Sequence, residues 1–281
     1  MRLLVAGSLH LDIVVRAPHL PALDETVAGT GVDYVFGGKG GNQAVAAARM
    51  GADAAFLGRA GSDAFGTILR ATLADSGVDT TLLQEDDGAS GMSTAIVDDN
   101  GDYGAVIVSA ANLRIDTSRV RIPDGTSLVL LQNEIPEAVN LAVASHARSI
   151  GARLWLNAAP ARPLSSALLS LVDMLIVNRV EAAAYGALPN SVTCLTTLGS
   201  DGVRYDGRHS PGYAVDVVST HGAGDMFVGA LAAEVVRGEE LDTAIGFAQA
   251  AAALHVSSSL EERARLAPER VFEFMETQPR R

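Results

Sequence analysis

The chain has 281 residues, 48% of them hydrophobic, and carries 21 Lys and Arg against 33 Asp and Glu, a net charge of −12. That length and apolar content can bury a substantial core, while the acidic surplus, with no basic stripe interleaved with aromatics, repels polyanions and argues against nucleic acid as a partner. No apolar stretch reaches membrane-spanning length, the first residues form too short an apolar run for a signal-peptide core, and the single cysteine, Cys194, permits no intrachain disulfide; a cytoplasmic protein with no membrane partner is expected.

Residues 3–6 predict a first buried strand, and residues 11–36 carry strand character with no intervening helix. The run Gly37-Gly38-Lys39-Gly40-Gly41-Asn42-Gln43-Ala44 then enters a helix predicted over 43–50. Four glycines in five positions let backbone approach a ligand closely, and Lys39 and Asn42 supply donors suited to hydroxyls or a carbonyl. It is not a Walker A loop, because G-x-x-x-x-G-K-[ST] is absent. Further strands are predicted at 54–57, 128–132, 154–157, 174–178 and 194–198, and further helices at 67–75, 138–149 and 244–255. This alternation reads as a parallel sheet with helices on both faces. Residues 90–110 break the rhythm again, with a hairpin turn at Asp98-Asp99-Asn100-Gly101-Asp102. Together with 11–36 they predict a small antiparallel sheet projecting from one α/β domain over 1–281. Cys194 lies in the apolar run Val192-Thr193-Cys194-Leu195, which suggests a buried, inert thiol.

Ser219-Thr220-His221-Gly222-Ala223-Gly224-Asp225 precedes the small-residue helical pattern Met226-Phe227-Val228-Gly229-Ala230-Leu231. Gly222, Ala223 and Gly224 allow backbone N–H groups to converge at a helix start, where an anion is favoured. Asp225 places a carboxylate in the first helical turn. A base beside an anion hole suits phosphoryl transfer to a hydroxyl. The four residues alone also fit a tight turn with an acidic helix start.

Other short motifs stand in order before, between and after these two: Gly7-Ser8 through Asp12, Gly61-Ser62-Asp63-Ala64-Phe65-Gly66, Leu131-Gln132-Asn133-Glu134, Asn157-Ala158-Ala159-Pro160-Ala161, Asn178-Arg179-Val180-Glu181, Thr197-Leu198-Gly199-Ser200-Asp201-Gly202 and Phe247-Ala248-Gln249. The set, spread over nearly the whole chain, resembles the ribokinase (PfkB-type) family of sugar and nucleoside kinases, and the glycine-rich motif resembles ribokinases proper. The resemblance implies a doubly wound, mostly parallel sheet flanked by helices, with a small antiparallel β lid formed by about 11–36 and 90–110. It implies ATP-dependent phosphorylation of a small sugar, D-ribose first, with Mg²⁺.

On the same resemblance, Asp225 is the catalytic base and Gly222, Ala223 and Gly224 form the anion hole. His10, Asp12, Gly38, Lys39, Asn42 and Glu134 hold the sugar. Asn178 and Glu181 place Mg²⁺ and phosphates, Glu181 through water; the same spacing also satisfies a helix capping box. Thr197, Gly199, Ser200 and Gly202 belong to the nucleotide loop, and Gln249 falls near the adenine, although a glutamine on an Ala-rich helix is usually just its polar face.

Departures bear on substrate and ions. His10 replaces an asparagine, which leaves a nucleoside or a sugar acid as alternatives to ribose. Ser219 replaces an aspartate, and residues 256–262 lack a glycine, with Leu260 in its place. The family's monovalent-cation site is therefore expected to be absent. His221 stands where threonine or isoleucine is usual. A helix expected within 184–192 is missing, and the apolar edge this uncovers suggests a homodimer. Two other function classes remain: a non-catalytic sugar-binding regulator, against which the complete Gly-Ala-Gly-Asp motif argues, and a nucleotide-dependent oxidoreductase, for which G-x-G-x-x-G is lacking.

Overall fold

The computed structural model describes residues 1–186, 188 and 192–281. The chain opens with β1 (Arg2–Ala6), leaves for β2 (His10–Arg16) and β3 (Gly31–Gly37), and returns through α1 (Lys39–Arg49) to β4 (Asp53–Gly61), α2 (Ala64–Asp75) and β5 (Asp79–Asp86). A second excursion forms β6 (Met92–Val97) and β7 (Tyr103–Val108). Then follow β8 (Thr126–Gln132), α3 (Glu137–Ser149), β9 (Arg153–Asn157), α4 (Ser166–Leu169), β10 (Met174–Asn178), α5 (Arg179–Tyr185) and β11 (Thr193–Thr197). A short hairpin, β12 (Val203–Tyr205) and β13 (Arg208–Ser210), precedes α6 (Ala223–Arg237), α7 (Leu241–Ser257), α8 (Leu260–Ala264) and α9 (Pro268–Thr277).

The main sheet has the order β13-β12-β11-β10-β9-β8-β1-β4-β5 and is parallel from β11 to β5. Its central strands are continuous apolar runs because both faces are covered. In β1, Leu3 and Val5 join one core with residues of α1, α6 and α7, whereas Leu4 and Ala6 join the other with residues of α3. All the strands and helices predicted from periodicity form, and β4 runs on to Gly61.

The two excursions meet as a separate sheet, β3-β2-β6-β7. Its hairpins β2/β3 and β6/β7 are antiparallel, and β2 and β6 join them in parallel. Asp63 caps α2, accepting from Gly66 N at 2.7 Å, and also accepts from Ser90 N at 2.9 Å and Ser90 Oγ at 2.6 Å. One carboxylate thus ties a helix of the main body to the start of the second excursion. Cys194 is half-buried, not fully buried as expected, and packs at the margin of the second core. The shortened stretch 184–192 lies partly, at 187 and 189–191, outside the described residues.

Close approach of α1 and α6 depends on Gly229. A methyl group there would come within 2.6 Å of both Ala46 Cβ and Gln43 O. The missing side chain brings the first turns of the two helices side by side.

Candidate active site

Polar residues end the central strands: Gln132 closes β8, Asn157 β9, Asn178 β10 and Thr197 β11. The carboxyl ends of parallel strands form the groove in which an open α/β sheet takes its ligands. The N-terminus of α6 points into that groove. Gly222 caps it with φ 76°, a left-handed conformation that a side chain would strain. Ala223 and Gly224 start the helix and Asp225 completes its first turn, as expected. A cavity of about 150 Å³ joins these four residues to Lys39, Asn157, Asn178, Glu181 and Thr197.

Asp225 is held from α1. Its Oδ1 accepts from Gln43 Nε2 at 2.9 Å and its Oδ2 from Asn42 Nδ2 at 3.1 Å. Burial pushes its carboxyl above the ordinary aspartate range; the charge of Lys39 and the two amides oppose that shift, and Glu134 adds to it. Gln43 is the innermost member of a chain of amides. Gln132 Nε2 donates to Gln43 Oε1 at 2.8 Å, and Gln43 Nε2 also donates to Asn157 Oδ1 at 2.9 Å. Asn157 and Asn140 are in turn bonded to backbone carbonyls of Ile176 and Gln132. Gln43, Gln132 and Asn157 were not singled out from the sequence. The available signal was a glutamine on the inner face of an alanine-rich helix, where an unpaired amide would cost several kcal/mol, about 1–3 by mutational measures.

On the other side of Asp225, Glu134 Oε2 accepts from Lys39 N at 2.8 Å and from Ser8 Oγ, which joins the loop after β1 to Lys39 at the start of α1. Asp12 lies in β2 opposite Ser93 of β6, whose hydroxyl bonds its Oδ1. His10 is only 4% exposed, and its Nε2 is buried without a partner among the described residues. The residues expected to hold a sugar therefore line the seam between the glycine-rich helix start and the second sheet. Lys39 and Asn42 also reach Asp225, by charge and by hydrogen bond respectively, which the sequence did not suggest.

Toward the nucleotide side, Asn178 and Glu181 form a complete capping box: Asn178 Oδ1 accepts from Glu181 N and Glu181 Oε2 from Asn178 N, both at 2.8 Å. Glu181 Oε1 has no partner among the described residues. One free carboxylate oxygen beside an amide, facing the anion-binding turn, suits a water-mediated hold on Mg²⁺ better than direct coordination. Among the described residues there is no group of three or more His, Cys, Asp and Glu that could hold a metal. Gly199 and Ser200 form a 3-10 turn closed by Gly202. Gln249 was expected near the adenine, but it is buried in α7 with its amide turned to Ser210, accepting from Oγ and donating to the carbonyl, each at 2.9 Å. It braces the end of β13.

The chain matches the family described as pfkB family carbohydrate kinase over residues 2–263. It is 35% identical to a ribokinase of Bacillus subtilis, covering 90% of this chain and 92% of that one. It is 32% identical to a ribokinase of Haemophilus influenzae, covering 98% of both. The fold is similar to that of Arabidopsis thaliana ribokinase complexed with ribose and ATP, with a TM-score of 0.88, 28% identity and 98% of each chain covered.

Proposed function

Because the chain belongs to the pfkB family of carbohydrate kinases, it transfers phosphate from ATP to a sugar hydroxyl, and we propose that the sugar is D-ribose. The observation that carries this reading is Asp225 standing between the anion-binding turn and the cluster of Asp12, Lys39, Asn42 and Glu134. Carboxylates and amides accept from or donate to several vicinal hydroxyls at once, as a pentose requires.

In this reading, Asp225 takes the proton of the attacking hydroxyl. Its carboxyl is raised by burial toward working pH, which makes it a better proton acceptor than an exposed aspartate. Gly222, Ala223 and Gly224 form the turn that faces the transferring phosphoryl group, the Ala223 N–H donating to Thr220 O at 3.3 Å within it, and the Lys39 ammonium balances charge between donor and acceptor. Asn178 and Glu181 would hold the water shell of a Mg²⁺ ion bound with ATP, which would supply charge neutralisation on the phosphates. Thr197 and the Gly199–Gly202 turn form the nucleotide wall. The whole chain acts as one catalytic unit in which β2, β3, β6 and β7 close as a lid, excluding water that Asp225 would otherwise activate.

His10 supports a second reading within the same chemistry. A buried imidazole with a free Nε2 offers one hydrogen-bonding group on a bulky ring, which favours a nucleoside or sugar acid if ribose leaves it unpaired. A screen of ATP consumption over pentoses, hexoses, deoxysugars, sugar acids and nucleosides decides: D-ribose should give the highest kcat/KM. A nucleoside or sugar acid ahead by tenfold would replace it. Substituting His10→Asn should then move the ranking; an unchanged ranking places His10 outside the sugar pocket.

We also propose a cytoplasmic homodimer. The single free thiol suits a reducing compartment. Tyr103, Val106 and Ile107 of the edge strand β7 are each more than 60% exposed, an apolar edge that a second subunit would cover. Light scattering on the purified protein should give twice the monomer mass.

A further inference from the structure

Arg263 is buried near the site, and the proposed chemistry makes no use of it. It lies in α8 and is 8% exposed. Its guanidinium makes its hydrogen bonds to backbone carbonyls: Nη2 to Ser219 O at 2.8 Å, Nε to Ser258 O at 3.1 Å and Nη1 to His221 O at 3.5 Å. Burying an arginine is costly without a partner, and burial lowers its pKa here. A capping box explains why the side chain turns inward: Ser259 N donates to Glu262 Oε2 at 2.7 Å, Glu262 N donates to Ser259 Oγ, and α8 begins there with Arg263 on its inner side.

The two outer carbonyls belong to the turn that builds the anion hole. A trans peptide is planar, so its C=O and N–H point in opposite directions. The carbonyl of His221 shares a peptide unit with the N–H of Gly222, and that of Ser219 with the N–H of Thr220. Both Thr220 and Gly222 line the cavity in front of α6. Pulling the carbonyls back toward Arg263 therefore aims the two N–H groups forward into the cavity. His255 assists at the same carbonyl, with its Nε2 2.9 Å from His221 O.

We propose that the Arg263 guanidinium is a cation built into the chain that holds the Ser219 and His221 carbonyls and so orients the N–H of Gly222 in the anion hole and that of Thr220 beside it, in place of a bound monovalent ion. The two carbonyls it gathers belong to the segment that includes Ser219, which offers no carboxylate for a free ion. The planar fork meets several carbonyls at once, which an ammonium on a flexible stem does less well. Arg263 is a positioning residue; it does not touch the reacting groups. The inference rests on the reading of Gly222, Ala223 and Gly224 as the anion hole.

The test compares wild type, Arg263→Ala and Arg263→Gln in potassium-free and sodium-free Tris, then with added K⁺ or guanidinium at about 20 mM, below denaturing levels. Wild-type kcat should change less than about threefold with K⁺. Both variants should lose at least about tenfold in kcat with sugar KM within about twofold, the pattern of lost transition-state stabilisation. Guanidinium should restore Arg263→Ala severalfold and leave wild type unmoved. Arg263→Gln keeps most of the packing, so it carries the test if Arg263→Ala does not fold. Wild-type activation by K⁺ of tenfold or more, or a folded variant that keeps its kcat, overturns the inference. Affinity for Mg·ATP without sugar, measured by calorimetry, should fall in the variants and return with guanidinium. That readout stands even if no sugar is turned over, so failure of the kinase reading and failure of this inference remain distinct.

Discussion

At the scale of the residue, the proposed mechanism gives the chemistry to Asp225, whose neighbours set its proton affinity. Substituting Asp225→Asn should lower kcat by about two to four powers of ten and leave ATP affinity nearly intact, the range of a positioned general base; near wild-type turnover would remove it from that role. The carboxyl must be ionised to accept a proton. Since burial raises it, activity should fall on the acid side at a pH above the ordinary aspartate range. The amide of Gln43 favours the ionised form, so Gln43→Leu should shift the acid limb of the kcat/KM profile to higher pH and lower kcat. An unshifted limb with reduced kcat would mean that Gln43 only packs. The sequence led to Asp225 through its motif, whereas Gln43, next to the noted Asn42, was hidden. Its importance comes from Gln132 and Asn157, which lie 89 and 114 residues further along the chain.

At the scale of the element, the site depends on how closely two helices approach. Gly229→Val adds side-chain atoms where even one methyl group meets Ala46 and the Gln43 carbonyl, so it should push α1 from α6, destabilise the fold by about 1–3 kcal/mol and reduce kcat with it. Thermal melting and turnover on the same preparation check this; an unchanged Tm with full turnover would show that the helices tolerate separation. Near the second sheet, Asp86 is buried against Arg114 and Arg59, and the Arg114 hydrogen bond holds its pKa down at about 2. A depressed carboxylate stabilises the fold above its unfolded pKa and loses that contribution as pH falls through about 2. Asp86→Asn should therefore lower Tm at neutral pH, and the gap from wild type should narrow between about pH 4 and pH 2. A pH-independent gap would mean that only packing was lost. Periodicity revealed the main strands and helices because buried parallel strands are continuous apolar runs. It did not reveal α8, a five-residue turn that brings Arg263 to Ser219, 44 residues earlier in the chain.

At the scale of the whole molecule, most of the ordered motifs were readable because they mark strand ends or helix starts, where an open α/β sheet takes its ligands. What they touch was not readable. Gln249 looked like a ligand residue and is a brace, since a polar group on a helix says nothing about which loop folds over it. The parallel junction of β2 with β6 likewise depends on two excursions that are far apart in sequence. The proposed mechanism requires above all that Asp225 and the turn before it pass the γ-phosphoryl group to a sugar and keep it from water. Phosphorus NMR of the purified protein with Mg·ATP and D-ribose tests that requirement directly. A phosphomonoester signal should grow in step with ADP, with little inorganic phosphate. ATP left unconsumed, or inorganic phosphate appearing in place of the ester, would contradict it.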